Sequence, residues 1–443
     1  MGIERRGHRR EHAEMQSAFR PLSRLPQDRP VRIQRPRRRA GSTSMRVRTQ
    51  IIIIALLRII LNTMHRMVYP FLTVFARGLG VDVTAVSLAL AGRNIAGIFG
   101  PIVAPVADSR GRKFGMLLGI VTFTLGVALV AVRPSLLTFG AALVLAILGK
   151  SWFDPAVHAY FGDRVAYEQR GTAVAVTEMS WSLAFIVGVP AMGFLIARYG
   201  WTAPFPVLAA LGVFMLLVIW WVIPGDGPTG ERPAMFPNVR AVLASVPALA
   251  GILIGLWASG ANEMVNLNFG VWLENAFGLQ IAALAGASAV IGIAELSGES
   301  LVATVTDRLG KPRAVALGLG CNIAASVLLP LIGRTELGAL AGLFLFYLSF
   351  EYLVVSQLPM MTEVVPAARA TAIALNSVGF GIGRSLGALL STFVYVRLGF
   401  PAVTAVAVLF DIFALLALAE MQNKIHVLPR LIGLLKRSAD TPR

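Results

Sequence analysis

The fold of this chain is decided by two short stretches that resemble each other, Ala107-Asp-Ser-Arg-Gly-Arg-Lys113 and Thr306-Asp-Arg-Leu-Gly-Lys-Pro312. In both, an aspartate is followed three positions later by a glycine, and the two stretches are offset by 199 residues. Further matches at the same offset join Arg170 with Arg369, Gly188 with Gly387, Arg198 with Arg397 and Gly200 with Gly399. Several matches at one constant offset indicate a duplicated unit whose copies keep the same orientation.

Around these stretches the chain consists of hydrophobic runs. Of its 443 residues, 56% are hydrophobic and 14% are charged, whereas a soluble domain carries about 25% charged residues. A membrane-crossing helix needs about 20 mostly apolar residues. Such runs lie near 49–76, 82–106, 114–132, 136–160, 172–197, 203–224, 245–270, 280–303, 314–333, 337–359, 370–396 and 400–420. We therefore expect an all-α polytopic membrane protein with twelve transmembrane helices in two pseudo-symmetric six-helix bundles.

The repeat and the runs together predict five segments along the chain. In order they are a basic, disordered tail (1–47), a six-helix bundle (48–224), a cytoplasmic linker (225–244), a second six-helix bundle (245–420) and a basic cytoplasmic tail (421–443). Met45 stands just before the first run, so a later start of translation is an equal alternative for the first tail. The last tail is either a basic amphipathic helix on the inner leaflet or a solvated segment.

The distribution of charge predicts the orientation of the chain. The net charge is +17, and 14 Lys and Arg residues lie within residues 1–50. The even-numbered connections between the runs carry eleven basic residues, against five in the odd-numbered ones. Because basic loops stay in the cytoplasm, we expect an inner-membrane protein with both termini inside, whose basic tails meet lipid rather than nucleic acid. The single cysteine, Cys321, excludes an internal disulfide or a thiolate metal cluster, and we expect no metal and no cofactor.

The first stretch resembles the loop between spans 2 and 3 of the major facilitator superfamily, which reads Gly-x-x-x-Asp-Arg-x-Gly-Arg-Arg/Lys. Here the leading glycine is Ala104 and the arginine after Asp108 is Ser109, whereas the second copy keeps Arg308. The resemblance covers about residues 48–420. It implies a secondary transporter of the efflux type, with a central site between the halves and a rocking motion around it.

The resemblance also implies a gating role for the two loops. A carboxylate at the end of one helix can meet the positive N-terminus of a neighbour, and glycine allows the sharp turn. Retention of the loops by positive charge alone is the alternative. We further expect Asp154 and Glu351 to be able to pair with the loop arginines. The expected gating residues are Asp108, Gly111, Arg112, Lys113, Asp307, Arg308, Gly310, Lys311 and Glu351.

Ionisable side chains inside the runs form the remaining candidate set, because a charge at the bilayer centre costs several kcal/mol unless it is paired or wetted. Each is either a structural ion pair, as Lys150 and Asp154 could form along their own helix, or part of a substrate or proton pathway. The candidates are Arg58, Arg66, Arg93, Lys150, Asp154, Glu178, Glu263, Asn266, Glu295, Glu299 and Arg384. Among them, Glu178, Glu263 and Glu295 are candidate proton carriers, and the arginines are candidate substrate anchors or counter-ions.

Three functions are compatible with these patterns. The favoured one is proton-linked export of a small organic solute by a monomer, without ATP, because no Walker sequence is present. The second is an uptake symporter or uniporter for a sugar or an organic anion. The third is a polytopic membrane enzyme or a lipid-flipping protein. We do not expect an enzyme, because no catalytic set clusters at one interface.

Overall fold

The computed structural model describes residues 47–101, 110–225 and 235–422. These residues form helices joined by short turns, and no strand occurs among them. The predicted all-α class is therefore confirmed. The predictions for the two tails concern residues that lie, but for the ends nearest the helices, outside the described ranges. The predicted linker contains a short helix, Met235–Leu243, and the five segment boundaries stay predictions.

The described residues contain eleven helices that are long and apolar enough to cross a membrane. A twelfth is obtained if Leu72–Leu79 and Val83–Ile98, which are bent by 111° at a short break, are taken as one broken span. Numbered after the predicted runs, the spans are 1 (Val47–Arg66, followed by the short helix Leu72–Leu79), 2 (Val83–Ile98), 3 (Arg112–Val132), 4 (Leu136–Arg164), 5 (Tyr167–Glu178, Ser180–Leu183, Ala184–Gly188 and Val189–Tyr199), 6 (Pro204–Val222), 7 (Val246–Phe277), 8 (Ile281–Leu309), 9 (Lys311–Ile332), 10 (Glu336–Val364), 11 (Arg369–Leu398) and 12 (Phe400–Met421).

A proline lies at the interruption of one predicted run and directly after a π-helical turn in another. The run near 49–76 ends as a helix at Arg66, and a turn precedes Leu72. Pro70 within that turn has no N–H to donate and disfavours a helical conformation in the residue before it. In span 5, Pro190 follows a π-helical turn, Ala184–Gly188, in which the N–H of Val189 bonds back to Ala184. Such turns occur mostly as single-turn bulges inside otherwise continuous α-helices.

The duplication is visible in the backbone. Gly111 and Gly310, each just before a span that follows a basic loop, have φ values of 106° and 79°. Gly200 and Gly399, which end spans 5 and 11, have φ values of 89° and 78°. Residues with a side chain rarely adopt this region. Each pair is separated by the offset found in the sequence, so the two halves repeat the same turns at the same positions.

The two halves contact each other closely at one end of the molecule. Arg77, after span 1, donates to Glu274 in span 7 at 2.5 Å, and Thr73 donates to the same carboxylate. Gly270 lies against Pro70, where an added Cβ would sit 2.6 Å from the proline carbonyl oxygen. These contacts lie beside the connections from span 1 to span 2 and from span 7 to span 8, at the end opposite to Val47. We call this the closed end.

Candidate functional site: a polar cavity between the two halves

A cavity of about 900 Å³ lies between the two halves. Spans 1, 2, 4 and 5 line it from the first half, and spans 7, 8, 10 and 11 from the second. Its wall extends to His158 near the end of span 4, to Gly171 near the start of span 5 and to Leu358 near the end of span 10. These residues lie towards the end of the molecule where span 1 begins. The cavity therefore extends from the middle of the molecule away from the closed end.

A deeply buried ion pair in the cavity wall joins the two halves. Arg66 of span 1 and Glu295 of span 8 are only 3% and 2% exposed. Arg66 donates from Nη1 to one carboxylate oxygen of Glu295 at 2.6 Å and from Nη2 to the other at 2.5 Å. The Arg66 guanidinium carbon also lies 3.5 Å from the ring centroid of Phe185. This parallel, two-point geometry is the strongest form of a charge-assisted hydrogen bond.

A second charged cluster lies within the first half. Arg58 donates to Glu178 at 2.8 Å, and its Nε is 3.1 Å from Asp154. Lys150 lies 2.7 Å from the other oxygen of Asp154, which confirms the pair predicted along span 4. His158 lies 3.2 Å from Glu178. Asp154 thus pairs with Arg58 and Lys150, and its pairing with a loop arginine, which the sequence allowed, stays a prediction.

Glu263 of span 7 is fully buried behind the cavity wall. It accepts hydrogen bonds from the Tyr69 hydroxyl at 3.1 Å and from Asn94 at 3.2 Å. Arg93 donates to that hydroxyl at 2.6 Å and to the His65 carbonyl at 3.0 Å. Tyr69 therefore stands between the arginine and the glutamate. This chain of hydrogen bonds also crosses from the first half to the second.

The second half contributes carboxyls that have no basic partner among the described residues. Glu299 accepts from the Ser182 hydroxyl at 3.1 Å. Glu351 lines the cavity and is 9% exposed.

Asn266 accepts from the Tyr347 hydroxyl at 2.8 Å. Across the described ranges, no group of three or more His, Cys, Asp and Glu residues is arranged to hold a metal ion.

Nine of the eleven side chains predicted for a substrate or proton pathway line this cavity, and Arg93 and Glu263 lie behind its wall. Arg384 of span 11 is the one basic residue of that set lining the cavity without an acidic partner in the described part of the chain. Its guanidinium carbon lies 5.7 Å from the ring centroid of Trp181. The prediction thus selected side chains that come together in space, while their roles stay predictions.

Comparison with known proteins gives the family. A family model described as the Major Facilitator Superfamily matches residues 53–365. The chain belongs to this superfamily. YceJ, an MFS-type transporter of Bacillus subtilis, is 26% identical over 301 residues, which are 67% of this chain and 76% of YceJ. YdhP, an inner membrane transport protein of Escherichia coli K12, is 26% identical over 321 residues, 72% of this chain and 81% of YdhP.

A solved structure has the same fold. It is the inward-facing, unoccupied structure of a bacterial homolog of the human lysosomal transporter Spinster, with a TM-score of 0.64 and 15% identity. The alignment covers 86% of this chain and 97% of that one. As a superfamily member, the chain is a multi-pass membrane protein. It transports a solute and is not an enzyme.

The superfamily loops form matching ion pairs in the two halves. Arg112 lies 3.2 Å from Asp163, which joins the start of span 3 to the end of span 4. Lys311 pairs with Glu363, which joins the start of span 9 to the end of span 10. The offset of 199 residues relates Arg112 to Lys311. Each pair stays within its own half.

The other predicted gating residues are only partly visible. Asp108 lies outside the described residues, and the side chain of Asp307 is not described. Arg308 is exposed, and Lys113 donates to the carbonyl of Trp220 at 2.5 Å. Glu351, which we expected to be able to pair with the loop arginines, lies in the cavity wall and forms no ion pair with any described residue.

Several residues in the cavity wall were not singled out as pathway residues from the sequence. Trp181 is one of them, and its side chain lies in the cavity wall. Trp257 instead packs against a neighbour, with its ring centroid 5.0 Å from that of Phe413. Asn94 and Tyr347 also line the cavity. Asn94 could have been noticed as a polar neighbour of Arg93. Trp181 and Tyr347 could not have been selected in this way, because aromatic residues are just as common on lipid-facing helices as in cavity walls.

Proposed function

We propose that this chain is a proton-coupled secondary transporter that exports a small organic solute by alternating access. The observation that carries the proposal is the polar cavity between the halves, which extends to one end of the molecule and is shut off at the other by the contacts of Arg77, Thr73 and Gly270. Such a cavity is accessible from one side only. Rocking of the halves would give access from the other side in turn.

The proposal places the protein as a monomer in the inner membrane, with both termini in the cytoplasm. The excess of basic residues in the even-numbered connections supports this orientation, and the relative YdhP is an inner membrane transport protein. The open side of the cavity then faces the cytoplasm, where an exported solute enters. The segments 48–224 and 245–420 are the proposed rocking units, and 225–244 is the proposed linker.

The proposed coupling group is the Arg66–Glu295 pair. It is buried at the cavity wall, and it bridges the rocking units. A proton on Glu295 would remove the negative charge that holds Arg66 and so would weaken the bridge. Protonation would thereby shift the equilibrium between the two access states, which is the requirement for coupling.

The loops at the start of spans 3 and 9 are the proposed gates. Their pairs, Arg112 with Asp163 and Lys311 with Glu363, lie at the end to which the cavity extends. The loops carry the matching turns of Gly111 and Gly310. We propose that Asp108 and Asp307 complete them, as the superfamily loop implies.

Proteoliposomes with an imposed pH gradient test this function. Solutes are first selected by the rise that they cause in the melting temperature of the purified protein, and are then measured by counterflow. We expect counterflow without a gradient and accumulation against the solute gradient when protons flow the other way. Solute and protons moving in the same direction would indicate uptake instead. Solute movement that ignores the pH gradient would exclude coupling.

The variant Glu295→Gln separates coupling from binding. We expect it to keep counterflow and to lose accumulation driven by the pH gradient, because its side chain cannot take up a proton. Glu336→Gln is the matched control, since Glu336 is an exposed residue in the first turn of span 10. Full accumulation by the Glu295→Gln variant would remove Glu295 from the proposed mechanism.

A further inference from the structure

Four basic side chains surround the indole ring of Trp181. The Arg66 guanidinium carbon lies 4.4 Å from a ring centroid, that of Arg384 lies 5.7 Å away, and the Lys150 ammonium lies 5.8 Å away. The imidazole of His65 lies tilted against the indole of Trp181, with the two ring centroids 5.4 Å apart. We call these five side chains the Trp181 cluster. It draws on spans 1, 4, 5 and 11 and lines the central cavity.

Two of the three permanent cations of the Trp181 cluster are neutralised by neighbours. Arg66 is held by Glu295, and Lys150 by Asp154. Arg384 makes no ion pair or hydrogen bond with any described residue, and its Nε is buried and has no hydrogen-bond partner. A guanidinium partly removed from water without a counter-ion is unfavourable. Arg384 therefore lacks an acceptor that something else can supply.

Two further polar atoms in the cavity wall also lack a partner. Asn262 is 4% exposed, and its Nδ2 donates no hydrogen bond. His65 is 5% exposed, and its Nε2 is likewise without a partner. Both side chains line the same cavity as Arg384. A buried donor without an acceptor is destabilising, which makes these atoms unusual in a folded protein.

The unpartnered atoms have a common chemistry. Arg384 Nε and Asn262 Nδ2 are donors, and His65 Nε2 can donate in one tautomer. The carboxyl groups of the cavity differ, since Glu295, Glu178 and Asp154 have basic partners and Glu299 accepts from a hydroxyl. Glu351 lies in the wall without a basic partner, but its oxygens are not among the buried atoms that lack a hydrogen bond. Asp154 Oδ1 and Arg58 Nε, which also lack well-aligned hydrogen bonds, lie 3.1 Å apart as an ion pair. Among the described residues, the buried cavity atoms with neither a hydrogen bond nor an ion pair are therefore all able to donate.

We propose that the solute is an organic anion, whose carboxylate is bound by Arg384, Asn262 and His65 and whose flat apolar part lies against Trp181. This inference rests on the proposed function, because it assigns the solute of the same cavity. The planar fork of a guanidinium matches the two oxygens of a carboxylate. Phe350 and Phe380 also line the cavity and offer apolar surface beyond the indole.

Equilibrium binding at fixed pH tests the inference. Aromatic monocarboxylates of increasing size, from benzoate through naphthalene-1-carboxylate to anthracene-9-carboxylate, are titrated into the detergent-purified full chain by calorimetry. For the best binder we expect the neutral amide of the same ring system to bind at least about tenfold more weakly, because it lacks the charge. Saturable binding by none of the acids, or tighter binding of the corresponding amine, would overturn the proposal.

Two variants locate the carboxylate. Arg384→Gln should weaken binding of the acid by about 10- to 100-fold, the usual range for losing a charge-assisted contact. Asn262→Asp places a negative charge beside the proposed carboxylate and should weaken the acid at least as much while sparing the amide. Arg397→Gln is the matched control, since Arg397 lies on the same span with its guanidinium over Phe393. An unchanged melting temperature of each variant shows that it is folded.

The outcomes separate the inference from the proposed function. Tight binding of the acid that depends on Arg384, together with transport that ignores the pH gradient, would leave the anion site standing and remove the proton coupling. Coupled transport of a neutral or cationic solute, with affinities unchanged in Arg384→Gln, would leave the proton coupling standing and remove the anion site.

Discussion

Arg66 and Glu295 are 229 residues apart in the sequence, and each is the other's bidentate partner at the boundary between the two halves. Both side chains are almost completely buried. An ion pair in such a place is costly to break from one side, because the charge left behind is neither hydrated nor paired. Replacing both members by apolar residues removes that cost. This asymmetry gives a prediction about stability that does not depend on transport.

We predict that Arg66→Met and Glu295→Leu each lower the free energy of unfolding by about 3–5 kcal/mol and that the double variant recovers most of the loss. Unfolding in mixed micelles by a denaturing detergent measures the three values. The pair of Lys311 and Glu363, whose side chains are 34% and 63% exposed, is the control. Its cycle should give a coupling of at most about 1 kcal/mol. Strictly additive losses at Arg66 and Glu295 would contradict the pairing.

The sequence predicted the architecture because the relevant signals are local. Runs of apolar residues long enough to cross a bilayer can be read without knowing their neighbours. The constant offset of 199 residues, which relates Gly111 to Gly310, indicated the duplication. The positive φ at both glycines explains why glycine is needed at these positions. The interruption after Arg66 was also readable in principle, since Pro70 lies within the run. The continuous hydrophobicity of the run obscures that signal.

The partners of the charged residues could not be predicted in the same way. Burial cost identified Arg66, Glu295 and Arg384 as candidates, but which of them pair depends on how helices far apart in the sequence face one another. Asp154 shows the difference. Its partner four residues away on the same helix was predicted correctly, whereas the partner from span 1, Arg58, was not.

The closed end should be sensitive to the size of one residue. Because an added Cβ at Gly270 would lie 2.6 Å from the carbonyl oxygen of Pro70, we predict that Gly270→Ala separates the halves there and exposes Thr392. This residue of span 11 is 2% exposed, and its hydroxyl donates to Ser87 of span 2, in the other half. Labelling of Thr392→Cys by a membrane-impermeant maleimide, with Cys321 replaced by serine, measures the exposure. We expect an increase of severalfold in the labelling rate. Gly286→Ala, where nothing lies within 4 Å, should leave the rate unchanged, and no increase in Gly270→Ala would refute the role of this contact.

The two halves should have the same orientation in the membrane. Arg110 and Arg308 lie in the two loops that the repeat makes equivalent, one position out of register with each other, and both are exposed. We predict that cysteines placed at these two positions react with an impermeant maleimide from the same side of inverted vesicles, the cytoplasmic one. A cysteine at Leu337, which is 79% exposed at the start of span 10, should react from the other side. Labelling of positions 110 and 308 from opposite sides would be incompatible with a parallel repeat.

The matching loop pairs should affect transport more than stability. Arg112 with Asp163 and Lys311 with Glu363 are ion pairs with exposed acidic members, and such pairs contribute about 0.2–1 kcal/mol to stability. If they form in only one access state, the same energy changes the ratio of the two states by a factor of about 1.4 to 5. We therefore predict that Asp163→Asn and Glu363→Gln leave the melting temperature nearly unchanged and alter the counterflow rate by that factor. Restoring attraction by a charge swap, Arg112→Asp with Asp163→Arg, should bring the rate back towards that of the unaltered protein. Equal counterflow in all of these variants would leave the loops with topological retention as their only role.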